Sequence, residues 1–304
     1  MALEMTTPTK ASVNEKFTSL MEQQHAGGEG VSETLWPGLV IGKFSKPVPR
    51  YPLMYVPAVC VVASGQKHVH LPDDHIVYDA LHYLVVGVPL PLEAEIPAAS
   101  REEPFLAMAL EIDISMVGAL VLEMSEEQEQ LKWQGPPAQA LYASPMNNDL
   151  LNAVERFLRT LENPETRRIL GPGAVKEILF HLLRGEQGSL LRNLAFSDSS
   201  SHQIARVVHH LQSSCNEKHD IPSLARHVGM SNSMLHHAFE KFVGQSPMQY
   251  LKKIRLHRAR LMMVRDGMRV SEASHRVGYN SPSQFSREFK RQFGLTPSRA
   301  AEIM

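Results

Sequence analysis

Two cysteines, Cys60 and Cys215, in 304 residues leave no disulfide framework to hold a secreted scaffold, and a reducing compartment is the natural setting. Long apolar runs are missing too. The stretch Tyr83 to Leu92 is broken by Gly and Pro and falls far short of the ~20 residues that cross a bilayer, so no membrane partner is expected. Residues Met1 to Lys16 mix Glu4 and Glu15 with Thr and Pro and lack the basic start and apolar segment of a signal peptide, which predicts a cytoplasmic chain. There is no phosphate loop, no Gly-x-Ser-x-Gly elbow, no Cys-x-x-Cys pair and no His-Glu-x-x-His helix. An enzyme is therefore not expected, nor a cofactor. Net charge is also nearly absent, at −1, which speaks against a polyanion partner only if the charges are evenly spread.

They are not. Residues 201–304 hold 16 Lys and Arg against 7 Asp and Glu, an excess of +9, and 9 of the 15 histidines; residues 1–200 carry the compensating −10. A basic third joined to an acidic body has the electrostatic footprint of a nucleic-acid binder with a separate partner domain. With 43% hydrophobic residues, each part has the means to build a core.

The acidic part reads in three pieces. Residues 1–30 are polar, end in Gly27, Gly28 and Gly30, and are expected to form a mobile arm with at most a turn of helix around Phe17 to Met21. From 31 to 115, short runs rich in Val, Ile, Tyr and Phe alternate with Pro, Gly and Asp at about ten-residue spacing, which predicts an antiparallel barrel or sandwich. From 116 to 196 the period becomes helical, with stripes at Ile114 to Leu131, at Leu150, Leu151, Val154, Phe157, Leu158 and Leu161, and at Val175, Ile178, Leu179, Leu182 and Leu183. The last stripe, in a helix expected over Gly173 to Arg184, suits packing on the strands or against a second copy in a homodimer. A Ser-rich linker at 197–203 follows.

Residues 204–304 contain one unit twice. Leu224-Ala225-Arg226-His227-Val228-Gly229-Met230-Ser231 leads to Leu235, Phe239 and Gly244-Gln245-Ser246-Pro247, and some fifty residues on Ser274-His275-Arg276-Val277-Gly278-Tyr279-Asn280-Ser281 leads to Phe285, Phe289 and Gly294-Leu295-Thr296-Pro297. A small residue four positions before a Gly lets two helices cross and turn; Ser231, or Asn280 with Ser281, can cap the second helix; Leu235/Phe239 and Phe285/Phe289 face the core. These are the parts of two helix-turn-helix motifs. Between them Pro247 to Val264 reads as one helix of about 27 Å, close to the ~34 Å between successive major-groove faces of B-DNA.

On these residues, with Tyr250, Arg255, Ala259, Leu261, Ala273, Ser286-Arg287 and Phe289-Lys290, the chain resembles the AraC/XylS family of bacterial transcription regulators. Pro37-Gly38-Leu39, Tyr55-Val56-Pro57-Ala58, Gly65-Gln66-Lys67, Leu90-Pro91 and Leu182-Leu183-Arg184-Gly185 extend the resemblance to the branch whose regulatory domain is a cupin-like barrel followed by helices. The fold implied is α+β, a cupin-like barrel with appended helices and an all-α domain of two helix-turn-helix motifs. The function implied is that of a dimeric, effector-responsive regulator, of the activator kind, with double-stranded DNA, a small molecule and RNA polymerase as partners.

By position, the resemblance places base reading on Asn232, Ser233, His236 and His237 in the first motif and on Pro282, Ser283, Ser286 and Arg287 in the second. The fork of Arg287 matches guanine O6 and N7, the alternative being a salt bridge to Glu288 or Glu272. Lys241, Arg255, Arg258, Lys290 and Arg291 read as phosphate contacts. In the barrel, His68-Val69-His70 invites a metal reading with His75, His82, Asp73 and Asp74 nearby, but the cupin spacing and its downstream Glu are missing and no metal is expected. Cys60 reads as a small buried hydrophobe, with an effector-sensing thiol as the lesser alternative. Two other whole-chain readings remain: a constitutive DNA-binding regulator whose barrel only dimerises, and a metal-dependent cupin enzyme fused to a DNA-binding domain.

Overall fold

The computed structural model describes residues 10–71, 75–124, 139–196 and 199–302. Helix α1 (Lys10–Gln24) precedes nine strands, β1 (Gly30–Glu33), β2 (Leu39–Phe44), β3 (Val48–Tyr55), β4 (Ala58–Ser64), β5 (Gln66–His70), β6 (His75–Asp79), β7 (His82–Val86), β8 (Leu90–Ile96) and β9 (Phe105–Glu111). Then come α2 (Ile114–Met124), β10 (Leu141–Pro145), α3 (Asn148–Thr160), α4 (Pro164–Arg184) and α5 (Ser189–Ala195). The strands form two antiparallel sheets, ordered β1-β2-β9-β4-β7-β10 and β3-β8-β5-β6. The expected barrel is thus a pair of open sheets, and its first sheet takes its last strand, β10, from the segment read as purely helical.

In β4 the side chains from Ala58 to Ala63 are all buried, on both faces. A strand covered on both sides reads as a continuous apolar run instead of alternating. The cover on one side is α1, which packs on β4 and β9 with Phe17 and Met21 fully buried and Leu20 6% exposed. The described part of the expected mobile arm therefore holds a docked helix, and residues 1–9 of it lie outside the described residues. Three apolar residues at i, i+3 and i+4 suffice to fix it on the sheet.

α4 also departs from expectation, running through Pro172 instead of starting after it. Gly171 allows the Trp36 ring to lie against the helix, since a Cβ there would stand 2.3 Å from a ring carbon. The stripe from Val175 to Leu183 is buried inside the chain, so it is not available to a second copy as the sequence had allowed. The expected helix at Ile114 to Leu131 is formed through Met124; its remainder lies outside the described residues.

The helical domain comprises α6 (Ser200–Ser213), α7 (Ile221–Val228), α8 (Asn232–Val243), α9 (Pro247–Val264), α10 (Val270–Arg276), α11 (Pro282–Phe293) and α12 (Pro297–Glu302). Ser199 caps α6, so the helix begins inside the stretch read as linker. The two repeats turn alike. Gly229 (φ 69°) and Gly278 (φ 88°) stand in the left-handed region. Met230 N–H donates to Ala225 O and Tyr279 N–H to Ser274 O, the six-to-one bond that closes a helix C-terminus. Ser231 and Ser281 then accept from Met234 N–H and Gln284 N–H. Leu235, Phe239, Phe285 and Phe289 are fully buried.

Two apolar cores divide the molecule, and α9 belongs to both. Tyr250, Leu251 and Ile254 join the core that runs from the sheets through α6, α7 and α8, whereas Leu256, Ala259 and Met263 pack with Ala273, Val277, Phe285 and Phe289. The first repeat is tied to the sheets by two further bonds: Tyr250 Oη donates to Pro89 O (2.9 Å), and Ala140 N–H to Phe242 O (2.8 Å).

The two turn glycines should respond differently to substitution. A Cβ at Gly229 meets nothing within 4 Å, whereas one at Gly278 would stand 2.5 Å from Asn216 O. Gly229→Ala is expected to cost only the ~1–2 kcal/mol of an L-residue in the left-handed region, and Gly278→Ala at least twice that, as read by urea melts of the full chain.

Candidate functional site

Serine capping leaves the first turns of α8 and α11 open to solvent, with free N–H groups that favour an anion. Asn232, Ser233, His236 and His237 lie exposed on α8; Pro282, Ser283 and Arg287 lie exposed on α11, and Ser286 is partly buried. Each helix thus buries its aromatic or leucine stripe and presents the positions singled out from the sequence. Ser231 and Ser233 hydroxyls stand 3.3 Å apart, Ser281 and Ser283 hydroxyls 2.9 Å apart, a second likeness between the copies. His236 Nδ1 lies 3.2 Å from Glu240, which draws it along its own helix, whereas His237 carries no ion pair among the described residues.

Arg287 is free because its neighbours are taken. Glu288 accepts from Tyr279 Oη (2.7 Å) and lies 2.7 Å from Lys252 Nζ. Burial works to raise the Glu288 carboxyl, but the bonds from Lys252, Tyr279 and Gln284 outweigh it and hold the group below its usual range. Glu272 pairs with Arg276 at 3.2 Å. Among the described residues no carboxylate pairs with Arg287, nor with the exposed Lys241, Lys290 and Arg291.

Arg255 and Arg258 belong elsewhere. Arg255 donates to Cys215 O (2.6 Å) and Glu217 O (2.7 Å), and Arg258 to Gln212 O (3.0 Å), so both guanidinium groups fasten α9 to the end of α6. Both were read from the sequence as phosphate contacts; main-chain carbonyls at and just beyond the C-terminus of α6 take some of their N–H groups, and Arg258 stays exposed.

A second group of polar side chains lies between the sheets. Lys67 shares its face of β5 with the fully buried Val69, and its Nζ stands 5.3 Å from the centroid of the Tyr55 ring. Tyr78 is opposite Lys67 in the β5–β6 register. Burial lowers the Lys67 amine, which lies near the Cys60 thiol, and the Tyr55 hydroxyl is buried beside that of Tyr78. Burial also pushes the Cys60 thiol up to about 11, against a smaller pull from Lys67. A thiol so protonated is a poor nucleophile, in keeping with the reading of Cys60 as a small buried hydrophobe. Lys67 belongs to the Gly65-Gln66-Lys67 motif, and nothing in the local sequence marks its amine as turned between the sheets.

His68 and His70 stand on the opposite, outer face of β5 with Glu95 of β8. His82, on the other sheet, sits beside Asp79 instead (2.5 Å); Asp73 and Asp74 lie outside the described residues.

An open two-sheet domain followed by a helical domain with exposed, doubly capped turn helices defines the class: a helix-turn-helix protein with an N-terminal sheet domain of regulatory type. Residues 36–190 match the family described as AraC-type transcriptional regulator N-terminus, and residues 224–302 match a helix-turn-helix domain. The chain belongs to the AraC-type transcriptional regulators. It is 26% identical over 154 residues to the HTH-type transcriptional activator RhaS of Escherichia coli, covering 50% of this chain and 54% of that protein. The chain thus spans about half the length of the curated relatives it matches. Among solved structures, ToxT from Vibrio cholerae shares the fold with a TM-score of 0.61 at 12% identity, over 91% of this chain and 99% of that one. ToxT bound to an unsaturated fatty acid matches with 0.59 at 10% identity, over 90% and 98% of the two chains. Among the described residues no helix is long and apolar enough to cross a membrane.

The buried connector gives a pH test. His257 on α9 is 6% exposed, with Nε2 unpartnered, and burial, helped by Arg260 and Lys253, pushes its imidazole down from 6.5 to about 4. The unfolded chain takes up this proton first, so stability is full above about pH 6.5 and falls as the pH drops towards 4, by up to about 3 kcal/mol. His257→Leu should flatten this window in denaturant melts at pH 7 and 4.5.

Proposed function

We propose that the protein is a sequence-specific regulator of bacterial promoters that reads two successive major-groove faces of double-stranded DNA with α8 and α11 and answers to a small molecule held between its sheets. The observation that carries this reading is the twofold occurrence of one capped turn, each copy offering a solvent-facing helix start, with the unpaired Arg287 on the second. An α9 of 18 residues sets the two starts on a rigid bar of about 27 Å, near the ~34 Å repeat of the groove. Arg287 donates to guanine O6 and N7; Asn232, Ser233, His236, His237, Pro282, Ser283 and Ser286 complete the base-facing surface; Lys241, Lys290 and Arg291 contact phosphate. Function as a homodimer and through contact with RNA polymerase belongs to the same reading, as do the absence of an enzymatic activity and a place in the cytoplasm.

The effector is a carboxylic acid. Lys67 is a cation between two sheets with no anion beside it among the described residues, and the face of the Tyr55 ring is next to it. An acid would satisfy the amine, as ions buried without a counter-charge are costly. The acids bound by ToxT, an unsaturated fatty acid and a naphthalenyl butenoic acid, are of this class.

In gel-shift titrations at fixed salt on a promoter fragment selected by the wild-type chain, Arg287→Ala should abolish specific binding, and His237→Ala should weaken it several-fold. Equal losses would sink this order. For the effector, straight-chain carboxylates from acetate to oleate should include one that raises Tm of the wild-type chain by mass action and leaves Lys67→Met unmoved. If none shifts the wild type, the constitutive reading, in which the sheet domain only dimerises, replaces the responsive one.

A further inference from the structure

The outer face of the four-stranded sheet carries a cluster that neither DNA reading nor effector binding uses. Alternate side chains of a strand share a face, so His68 and His70 stand together while Lys67 and Val69 turn inward. β8 pairs with β5 so that His68 is opposite Glu95. On the other side β6 sets His75 opposite His70, the two rings stacked with centroids 6.1 Å apart. Glu95 Oε2 lies 3.0 Å from His70 Nε2 and 4.0 Å from His68 Nδ1, and one donor atom from each of the three side chains lies within 4.8 Å of the others. The side chains are 21%, 17% and 32% exposed for His68, His70 and Glu95, shielded by the sheet yet open on one side to an entering ion. Glu93, the next carboxylate on that face, is engaged by Arg50.

We propose that His68, His70 and Glu95 form a site for a divalent transition-metal ion of the zinc type, with water in the fourth position. Two imidazoles and a carboxylate are a donor set zinc takes in open, three-ligand sites. All-oxygen ligation, which calcium and magnesium require, is not offered, nor is the thiolate that soft ions prefer. Donors on a tetrahedral ion with ~2.0 Å bonds stand about 3.3 Å apart. The His70–Glu95 pair already meets that spacing, so closure needs only a small inward turn of His68. The Gln66 amide lies 3.1 Å from His68 Nε2. With its oxygen towards the ring it accepts from Nε2–H and leaves Nδ1 as the ligand, the outer support that metal-bound imidazoles receive. The sequence reading looked for the carboxylate downstream of the histidines at cupin spacing; it arrives across the sheet, 25 residues away from His70.

The test uses the full chain, stripped with chelator and titrated with zinc chloride by calorimetry, with cobalt(II) absorption as an independent readout. We expect an ion whose binding weakens at least tenfold in both His70→Ala and Glu95→Gln, and a cobalt band of tetrahedral intensity that both variants lose. Glu95→Gln is isosteric, and circular dichroism verifies that it folds. A second histidine group, with His210 and His227 rings stacked at 4.6 Å, supplies the control: His227→Ala should leave the cobalt band intact. Undiminished zinc affinity in Glu95→Gln, no tetrahedral cobalt band in the wild type, or loss of the band in His227→Ala alone would overturn the site.

Discussion

The geometry of the molecule depends on one helix being shared between two apolar cores. The first half of α9 supplies Tyr250, Leu251 and Ile254 to the core continuous with the sheets, and its second half supplies Leu256, Ala259 and Met263 to the core of the second repeat. Neither repeat can turn about the helix axis without pulling its own side of α9 out of close packing, and interiors at crystal-like density resist such movement. The separation of α8 and α11 is therefore a property of α9, a bar of fixed length instead of a tether between two independent heads. His257 lies on this bar, beside Phe293 at 5.1 Å, where a second proton would have no partner.

Around this bar the polar side chains are sorted by what the fold itself requires. Arg255 and Arg258 close the open end of α6, and Glu288 gathers Tyr279, Gln284 and Lys252, so that these groups are satisfied from within. What is left over is informative. Among the described residues Arg287, like Lys241, Lys290 and Arg291, has no carboxylate partner on the outside of the helical domain, and Lys67 has no anion between the sheets. Cations left without a partner inside the fold are candidates for one from outside it.

The repeats were legible in the sequence because their determinants are local: a small residue, a glycine, a capping serine and a buried pair, Leu235/Phe239 or Phe285/Phe289, lie within about fifteen residues of each other in each copy. The body of the protein was less legible for the opposite reason. Docking of α1 depends on Phe17, Leu20 and Met21 finding a sheet whose strands lie far along the chain, and β10 is read as helical context because helices flank it on both sides. The internal partners of Arg255 and Arg258 were not legible because a cation on a polar helix face looks solvent-bound until the carbonyls 40 and 46 residues away are placed beside it. The same distance hid Glu95 from the histidines. The alternation that put His68 and His70 on one face was sufficient to pair them, and insufficient to show what crosses from the neighbouring strand.

The bond from Ala140 N–H to Phe242 O joins the sheet domain to the end of α8 through main-chain atoms alone. Side-chain exchange leaves such a link intact, because every residue except proline carries the same N–H. Genetic screens for variants that have lost communication between the two domains should consequently be poor in ordinary missense changes at this junction and should yield prolines, insertions or deletions there. The connection is written in the backbone, and lineages that diverge in sequence can keep it without conserving either residue.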